Sequence, residues 1–153
     1  GDAVANPHTL FVRIGTSCSE LLEAAGGIKP GSEARKILCG GPMMGIAMST
    51  LDAPIAKNNN ALTVLASDEV ELAEQQMTAC LRCGLCGHVC PIGLVPQMMA
   101  EAAERQDYER YEKKLYGLDC IACGSCTYIC PAKRPLMQLF KQTKAVIMAA
   151  KRK

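Results

Sequence analysis

The chain has 153 residues, of which 49% are hydrophobic and 4% aromatic, with no tryptophan. That length is enough for one ordinary domain or two small ones, and nothing in the composition suggests a disordered chain. The formal charge of +2 conceals an asymmetry: residues 1–79 carry five Lys and Arg against nine Asp and Glu, whereas residues 80–153 carry twelve against six. Because no apolar run reaches the roughly 18 residues of a membrane-spanning helix, we expect no transmembrane segment.

The first part of the chain predicts a helix lying across a small mixed sheet. Residues 9–14 are rich in strand formers and predict a first strand. Ser17 and Glu20 have the spacing of a capping box, so a helix should begin there and end at Gly26-Gly27. Two more strands are predicted at residues 36–39 and 61–65, with a turn at residues 57–60 between them.

The second part predicts short helices joined by cysteine-rich loops. The first of these helices should begin at Ser67-Asp68 and run to about Thr78. Pro96 is a favourable first helical residue, and Asp107 can cap a further helix. The other helices are predicted at residues 96–104, 107–115 and 135–149, the last with Leu136, Phe140 and Ile147 on one face.

Ten cysteines are the strongest signal in the composition. Eight of them form two tight groups in the second half, and the other two are Cys18 and Cys39. A secreted disulfide scaffold scatters its cysteines through a shorter chain, and residues 1–7 have neither the basic region nor the apolar core of a signal peptide. The clustering therefore predicts metal binding in a reducing compartment, with Cys18 and Cys39 as core thiols.

The two groups repeat one motif with a period of 40 residues: C-x2-C-x2-C-x3-C-P at residues 80–91 and again at 120–131. This is the run that binds two [4Fe–4S] clusters in bacterial ferredoxins, where the fourth cysteine of each run completes the other cluster. The prediction is one cluster on Cys80, Cys83, Cys86 and Cys130. The second cluster is predicted on Cys120, Cys123, Cys126 and Cys90.

The ligand spacing, the glycines and the charge of the second half all bear on the kind of metal group bound. The alternative is structural zinc, which binds four ligands in one tetrahedron, usually from paired C-x2-C knuckles. Gly84, Gly87 and Gly124 allow the backbone to approach cluster sulfides, and His88 is expected to be no ligand. Eight thiolates and two cluster cores together would lower the net charge of residues 80–153 by about four. The excess of Lys and Arg there mostly balances this negative charge, so it predicts no nucleic-acid partner.

Four segments then carry a resemblance to a known family. Residues 40–45, 80–91, 94–97 and 119–131 resemble the RnfC family, the C subunits of the Rnf electron transport complex, and the likeness extends over nearly the whole chain. The resemblance implies an α+β fold: a small β-grasp domain of the soluble-ligand-binding type at residues 1–66, followed by a mainly helical two-cluster ferredoxin-like domain at residues 67–153. It also implies that the chain is the C-terminal part of a longer protein.

The same resemblance implies a role. The parent complex exchanges electrons between ferredoxin and NAD, coupled to Na⁺ or H⁺ translocation, and members of the family lie peripherally on the cytoplasmic face of the bacterial membrane. FMN and NAD would bind to a preceding domain, since residues 1–153 contain no glycine-rich dinucleotide loop. The expected partners are the other Rnf subunits, including membrane subunits, with this chain acting only as an electron relay. A cobalamin reductase of similar layout is the alternative within the redox proteins.

Overall fold

A computed structural model describes residues 1–152. The chain forms two compact units, Gly1–Glu69 and Val70–Lys153. Lys153, which the predicted helical domain includes, lies outside the described residues. The two units are α+β and mainly helical respectively, in keeping with the fold class predicted from the sequence.

Helix α1 of the first unit, Cys18–Ala24, begins where the capping box predicts. The Glu20 N–H donates to Ser17 Oγ at 3.2 Å, and the Ser17 N–H donates to Glu20 Oε2 at 2.9 Å. The helix ends before two glycines in the left-handed region, Gly26 at φ +83° and Gly27 at φ +74°, a conformation that glycine adopts without steric cost. Both predicted ends of this helix are confirmed.

The sheet of the first unit has three strands in the order β2-β1-β3, with β1 at Lys36–Cys39, β2 at Ile46–Ala47 and β3 at Leu62–Leu65. Both neighbouring pairs are antiparallel, with Leu38 opposite Ala47 on one side and Thr63 on the other, so the predicted mixed sheet is wrong. Strands β1 and β3 are confirmed, whereas the two-residue β2 is too short to leave a periodic pattern. The buried core residues are Ala3, Val4, Leu22, Ala25 and Val64.

The strand predicted at residues 9–14 is wrong. These residues are irregular and end in a turn, in which the Thr16 N–H donates to the Arg13 carbonyl at 3.2 Å. Phe11 is fully exposed and Ile14 is mostly exposed. Strand propensity measures how well a side chain fits a half-buried pleated surface. A segment of high propensity therefore does not form a strand unless a neighbouring strand pairs with it.

The second unit consists of short helices and one long one. Helix α2, Glu69–Gln75, ends earlier than predicted, and the Thr78 N–H instead donates to the Ala132 carbonyl at 3.1 Å. The predicted helix at residues 96–104 is confirmed as α4, Pro96–Glu104, and the last one is α6, Leu136–Lys151. Two helices of a single turn, α3 at Leu85–His88 and α5 at Ser125–Tyr128, lie within the cysteine motifs.

The segment after Asp107 is helical but not regular. Asp107 Oδ1 accepts from the Arg110 N–H at 3.1 Å, which confirms the predicted cap. Arg110–Lys114 then forms a π-helical turn, in which the Leu115 N–H donates to the Arg110 carbonyl at 3.0 Å. A 3₁₀ turn at Gly117–Asp119 leads into the second motif.

The core of the second unit lies between α4, the π-turn and α6. Tyr111 is fully buried and its ring lies 6.3 Å from that of Phe140, centroid to centroid, in a tilted arrangement. Leu136, Phe140 and Ile147 are all buried, as their shared helical face predicts. No helix in the described part of the chain is both long and apolar enough to cross a lipid bilayer.

Candidate metal centre

The two cysteine motifs have the same backbone conformation 40 residues apart. Gly84 and Gly124 both adopt the left-handed region, at φ 80°, ψ −9° and φ 84°, ψ −10°, and each precedes a one-turn helix. Two residues earlier, Arg82 and Ala122 are left-handed as well, at φ 55° and 54°. Non-glycine residues rarely adopt this region, so its recurrence shows that the sequence repeat is also a structural repeat.

The hydrogen bonds around the fourth cysteine of each motif repeat too. The Cys90 N–H donates to the Gly87 carbonyl and the Cys130 N–H to the Thr127 carbonyl, each at 3.3 Å. Three residues later the chain reverses, with N–H groups donating back to the Cys90 and Cys130 carbonyls at 3.1 Å in both copies. The fourth cysteine of each motif therefore lies in its own turn, which is separate from the loop that carries the first three cysteines.

The eight clustered cysteines line two cavities, four in each. Both cavities draw three cysteines from one motif and the fourth from the other. The first cavity is lined by Cys80, Cys83, Cys86 and Cys130. The second cavity is lined by Cys120, Cys123, Cys126 and Cys90. These are the two sets that the sequence motif predicts as ligands.

The arrangement of the thiols favours a cluster over a single metal ion, because each cavity has four thiols around its rim. Within residues 1–152, no three His, Cys, Asp or Glu side chains converge closely enough to bind one metal ion. Four thiols around a shared space are the donor set of an iron–sulfur cubane, whereas zinc requires sulfurs about 2.3 Å from one central point.

The surroundings shift the pKa of three of the clustered thiols, two of them upward and one downward. Burial raises the pKa of Cys86, and burial followed by the charge of Cys120 raises the pKa of Cys126 to about 11. A hydrogen bond with Ser125 lowers the pKa of Cys123. Buried thiols of raised pKa stay protonated at neutral pH, so metal binding has to displace their protons.

Backbone donors already point at two of the sulfurs. The Leu94 N–H donates to Cys90 Sγ at 3.3 Å, and the Ala122 N–H donates to Cys120 Sγ at 3.4 Å. Hydrogen bonds of this kind to ligand sulfurs stabilise the negative charge of a cluster and tune its reduction potential. The four cysteines and these donors fit a [4Fe–4S] group.

Sequence reasoning missed Tyr111. Its hydroxyl is fully buried and has no hydrogen-bond partner among the described residues. Burial, together with the neighbouring Cys120 and Cys126, raises its pKa well above the ordinary value. A buried hydroxyl nearly always has a partner, and sulfur held by these two cysteines would supply the missing acceptor. A Cβ on Gly117 would overlap the Tyr111 ring, so the ring is seated by a tertiary contact that the sequence pattern does not mark.

The cysteines and the histidine expected to be no ligands lie elsewhere. Cys18 is buried in the first unit at the start of α1, and Cys39 ends β1. His88 ends α3 and lines neither of the two cavities. In the loop at residues 40–45, the Gly45 N–H donates to the Gly41 carbonyl at 2.8 Å.

Two family models match the chain, one in each unit. An SLBB domain matches residues 1–47, and a 4Fe-4S dicluster domain matches residues 76–134. The second match covers both cysteine motifs and favours iron–sulfur clusters over structural zinc.

Curated relatives match the chain over almost its full length. It is 41% identical over 98% of its residues to the C subunit of the proton-translocating ferredoxin:NAD(+) oxidoreductase complex of Clostridium ljungdahlii. It is 40% identical over 100% of its residues to the C subunit of the Na(+)-translocating complex of Acetobacterium woodii. It is 42% identical over 97% of its residues to the C subunit of the ion-translocating oxidoreductase complex of Yersinia pestis. The chain spans only 32%, 33% and 23% of the lengths of these relatives.

Proposed function

Because the chain belongs with the C subunits of the Rnf ion-translocating complexes, of which it spans a part, we propose that it is a one-electron relay carrying two [4Fe–4S] clusters. The observation that carries this proposal is the grouping of the eight clustered cysteines into two cavities of four. The dicluster domain match over residues 76–134 supports it.

The proposed ligands are the two cysteine sets already described. Cys80, Cys83, Cys86 and Cys130 hold cluster 1, and Cys120, Cys123, Cys126 and Cys90 hold cluster 2. Support comes from the shared lining of each cavity and from the equal turns that hold Cys90 and Cys130. A cubane supplies one-electron chemistry with little rearrangement of its ligands. The chain contributes spacing, partial burial of the thiols and N–H donors to their sulfurs.

The proposed setting is the whole complex. In the longer protein, FMN and NAD bind outside the matched part, since about two thirds of the length of the Clostridium and Acetobacterium relatives lies beyond the match. The relay passes electrons between that flavin site and other subunits, including membrane subunits, on the cytoplasmic face of the membrane. The complex exchanges electrons between ferredoxin and NAD and couples them to H⁺ or Na⁺ translocation, as the names of those relatives state for them.

The first unit has a proposed identity as well. We assign residues 1–66 to a β-grasp domain of the soluble-ligand-binding type and residues 67–153 to the cluster domain. The SLBB match over residues 1–47 supports the first assignment, as does the packing of Leu22 on α1 with Val64 on β3. The division into compact units after Glu69 lies close to the proposed boundary.

Analysis of metal and sulfide tests the central proposal. The chain, purified and loaded anaerobically, should contain about eight iron and eight acid-labile sulfide atoms and give the EPR signals of reduced cubanes. It should be reduced by dithionite but not by NADH, because hydride transfer delivers two electrons together and a flavin is needed to separate them. Zinc in place of iron, with no sulfide, would overturn the proposal.

The exchange of fourth ligands between the motifs has its own test. Cys130→Ser should damage cluster 1, so its EPR change should resemble that of Cys83→Ser. The matched variant Cys90→Ser should resemble Cys123→Ser. If Cys130→Ser instead reproduces Cys123→Ser, each motif closes on its own cluster and the assignment is incorrect.

A further inference from the structure

The structural repeat makes the linings of the two cavities comparable position by position. Each lining residue of the Cys80 cavity has a counterpart 40 residues away that lines the Cys120 cavity. Three of these pairs differ in charge or polarity: Arg82 and Ala122, Arg134 and Leu94, Gln97 and Met137. At all three positions the charged or polar member lies at the Cys80 cavity.

The Arg134 guanidinium is in direct contact with this cavity. It is mostly buried, with 16% of the side chain exposed; it donates to Glu104 and lines the cavity beside Cys80, whose sulfur its charge reaches. Glu104 offsets part of the Arg134 charge, and the rest acts on the cavity that Arg134 lines. Its counterpart Leu94 offers the Cys120 cavity only a backbone N–H, which donates to Cys90 Sγ at 3.3 Å.

A second pair and the exposure of the thiols act in the same direction, and Arg82 adds a further positive charge to the lining. Gln97 lies 3.4 Å from Cys86 Sγ through its amide oxygen, and the same amide can turn its NH₂ group to a thiolate, which Met137 cannot do. Cys80 and Cys83 are exposed to solvent, whereas the four cysteines of the Cys120 cavity are all half-buried. Positive charge, side-chain N–H donors and water all stabilise the more negative reduced cluster. They oppose the two backbone N–H donors, to Cys90 and Cys120, at the other cavity.

We propose that the two clusters are unequal, and that Arg82, Arg134 and Gln97 make the cluster in the Cys80 cavity the one of higher reduction potential. This inference rests on the proposed function, since it assumes that both cavities hold clusters. An electron that enters the pair therefore resides mainly at Cys80, Cys83, Cys86 and Cys130. The expected preference is tenfold or more, which corresponds to about 59 mV for one electron.

The repeat itself supplies the variants that test this. Arg82→Ala, Arg134→Leu and Gln97→Met each install the residue of the opposite cavity. Ala122 already occupies a left-handed position like that of Arg82, so Arg82→Ala is compatible with the fold and leaves the contact of Arg134 with Glu104 in place. Lys133→Gly is the matched control, because it removes a positive charge that does not line the cavity and installs the residue found at Gly93.

EPR-monitored redox titration of the full cluster-loaded chain gives the readout, after iron and sulfide analysis has shown that both clusters are present. Two separate potentials are expected, with Arg82→Ala and Arg134→Leu lowering the higher one and the triple variant bringing the two together. Lys133→Gly should move it much less. Equal potentials in the unchanged chain, a shift confined to the lower potential, or shifts no larger than that of Lys133→Gly would each overturn the inference. Absence of iron and sulfide would instead overturn the proposed function.

Discussion

In the unit Gly1–Glu69, a buried apolar cluster that includes Leu22 and Val64 packs beneath a hydrogen-bonded antiparallel sheet. In the unit Val70–Lys153, the apolar core around Tyr111 and Phe140 packs against three of the eight clustered thiols, and the two helices inside the cysteine motifs have four residues each. One-turn helices are not stable by themselves. The first unit therefore has the means to hold its fold by apolar burial and sheet pairing, whereas the second leaves its motif loops to be held by what the thiols bind.

The left-handed residues sharpen this contrast. The motif loops hold Arg82, Ala122 and Lys133 at φ between 53° and 55°. Each such residue costs on the order of 1 kcal/mol relative to an ordinary conformation, a cost that metal–thiolate bonds would offset under the proposed ligand assignment. In the first unit the left-handed positions are all glycines, including Gly26 and Gly27, so no comparable strain has to be balanced.

Removal of the clusters should have the largest effect. Chelation or exposure to air should melt the loops around α3 and α5, because eight free thiols add little apolar burial to offset chain entropy. Hydrogen exchange followed by mass spectrometry should show amide protection lost over residues 80–134 and retained in β1 and β3. A uniform loss of protection along the chain would show that the first unit also depends on the clusters.

Core truncations should separate the two units next. Phe140→Ala should cost about 3–5 kcal/mol and also lower the cluster content, since Phe140 is buried and lines the Cys120 cavity. Leu22→Ala, a buried position on α1, should cost about 2–5 kcal/mol and leave the cluster signals unchanged. Hydrogen exchange and EPR on each variant give the two readouts. Loss of cluster signals in Leu22→Ala would contradict the separation of the two units.

Most of this architecture was predictable, and the exceptions have identifiable physical causes. The capping box at Ser17 and helix α4 follow from local spacing, and the grouping of the cysteines follows from the ferredoxin motif, in which each fourth cysteine belongs with the other run. The strand predicted at residues 9–14 failed because pairing partners are not encoded locally. The π-turn at Arg110–Lys114 and the buried hydroxyl of Tyr111 depend on a close fit against Gly117 and the second motif. Such three-dimensional packing leaves no periodic signal in the sequence.

The helix caps should give smaller and more equal effects. Ser17→Ala in the first unit and Asp107→Ala in the second each remove an acceptor for a backbone N–H, which typically costs about 1 kcal/mol. Only Asp107→Ala should also disturb the cluster 2 signal, because the capped turn carries Tyr111. Asp107→Asn keeps a cap acceptor and should restore most of the loss. Denaturant titration with EPR of the loaded protein measures both quantities, and an effect of Ser17→Ala on that signal would contradict the expectation.

The smallest expected change is also the most specific to the second unit. Tyr111→Phe removes one oxygen from a fully buried side chain and keeps the ring that packs on Phe140. If the hydroxyl donates to sulfur held by Cys120 and Cys126, its loss should lower the potential of cluster 2 by up to about 60 mV, because a net hydrogen bond contributes about 0.5–1.5 kcal/mol and 59 mV corresponds to 1.4 kcal/mol for one electron. Cluster 1 should keep its potential, and the half-buried Tyr108, changed to Phe, should have no effect on either. EPR-monitored titration of the two variants decides the matter. An unchanged cluster 2 potential in Tyr111→Phe would mean that the hydroxyl makes no bond to the cluster, and that the second unit tolerates a buried donor without help from its cofactor.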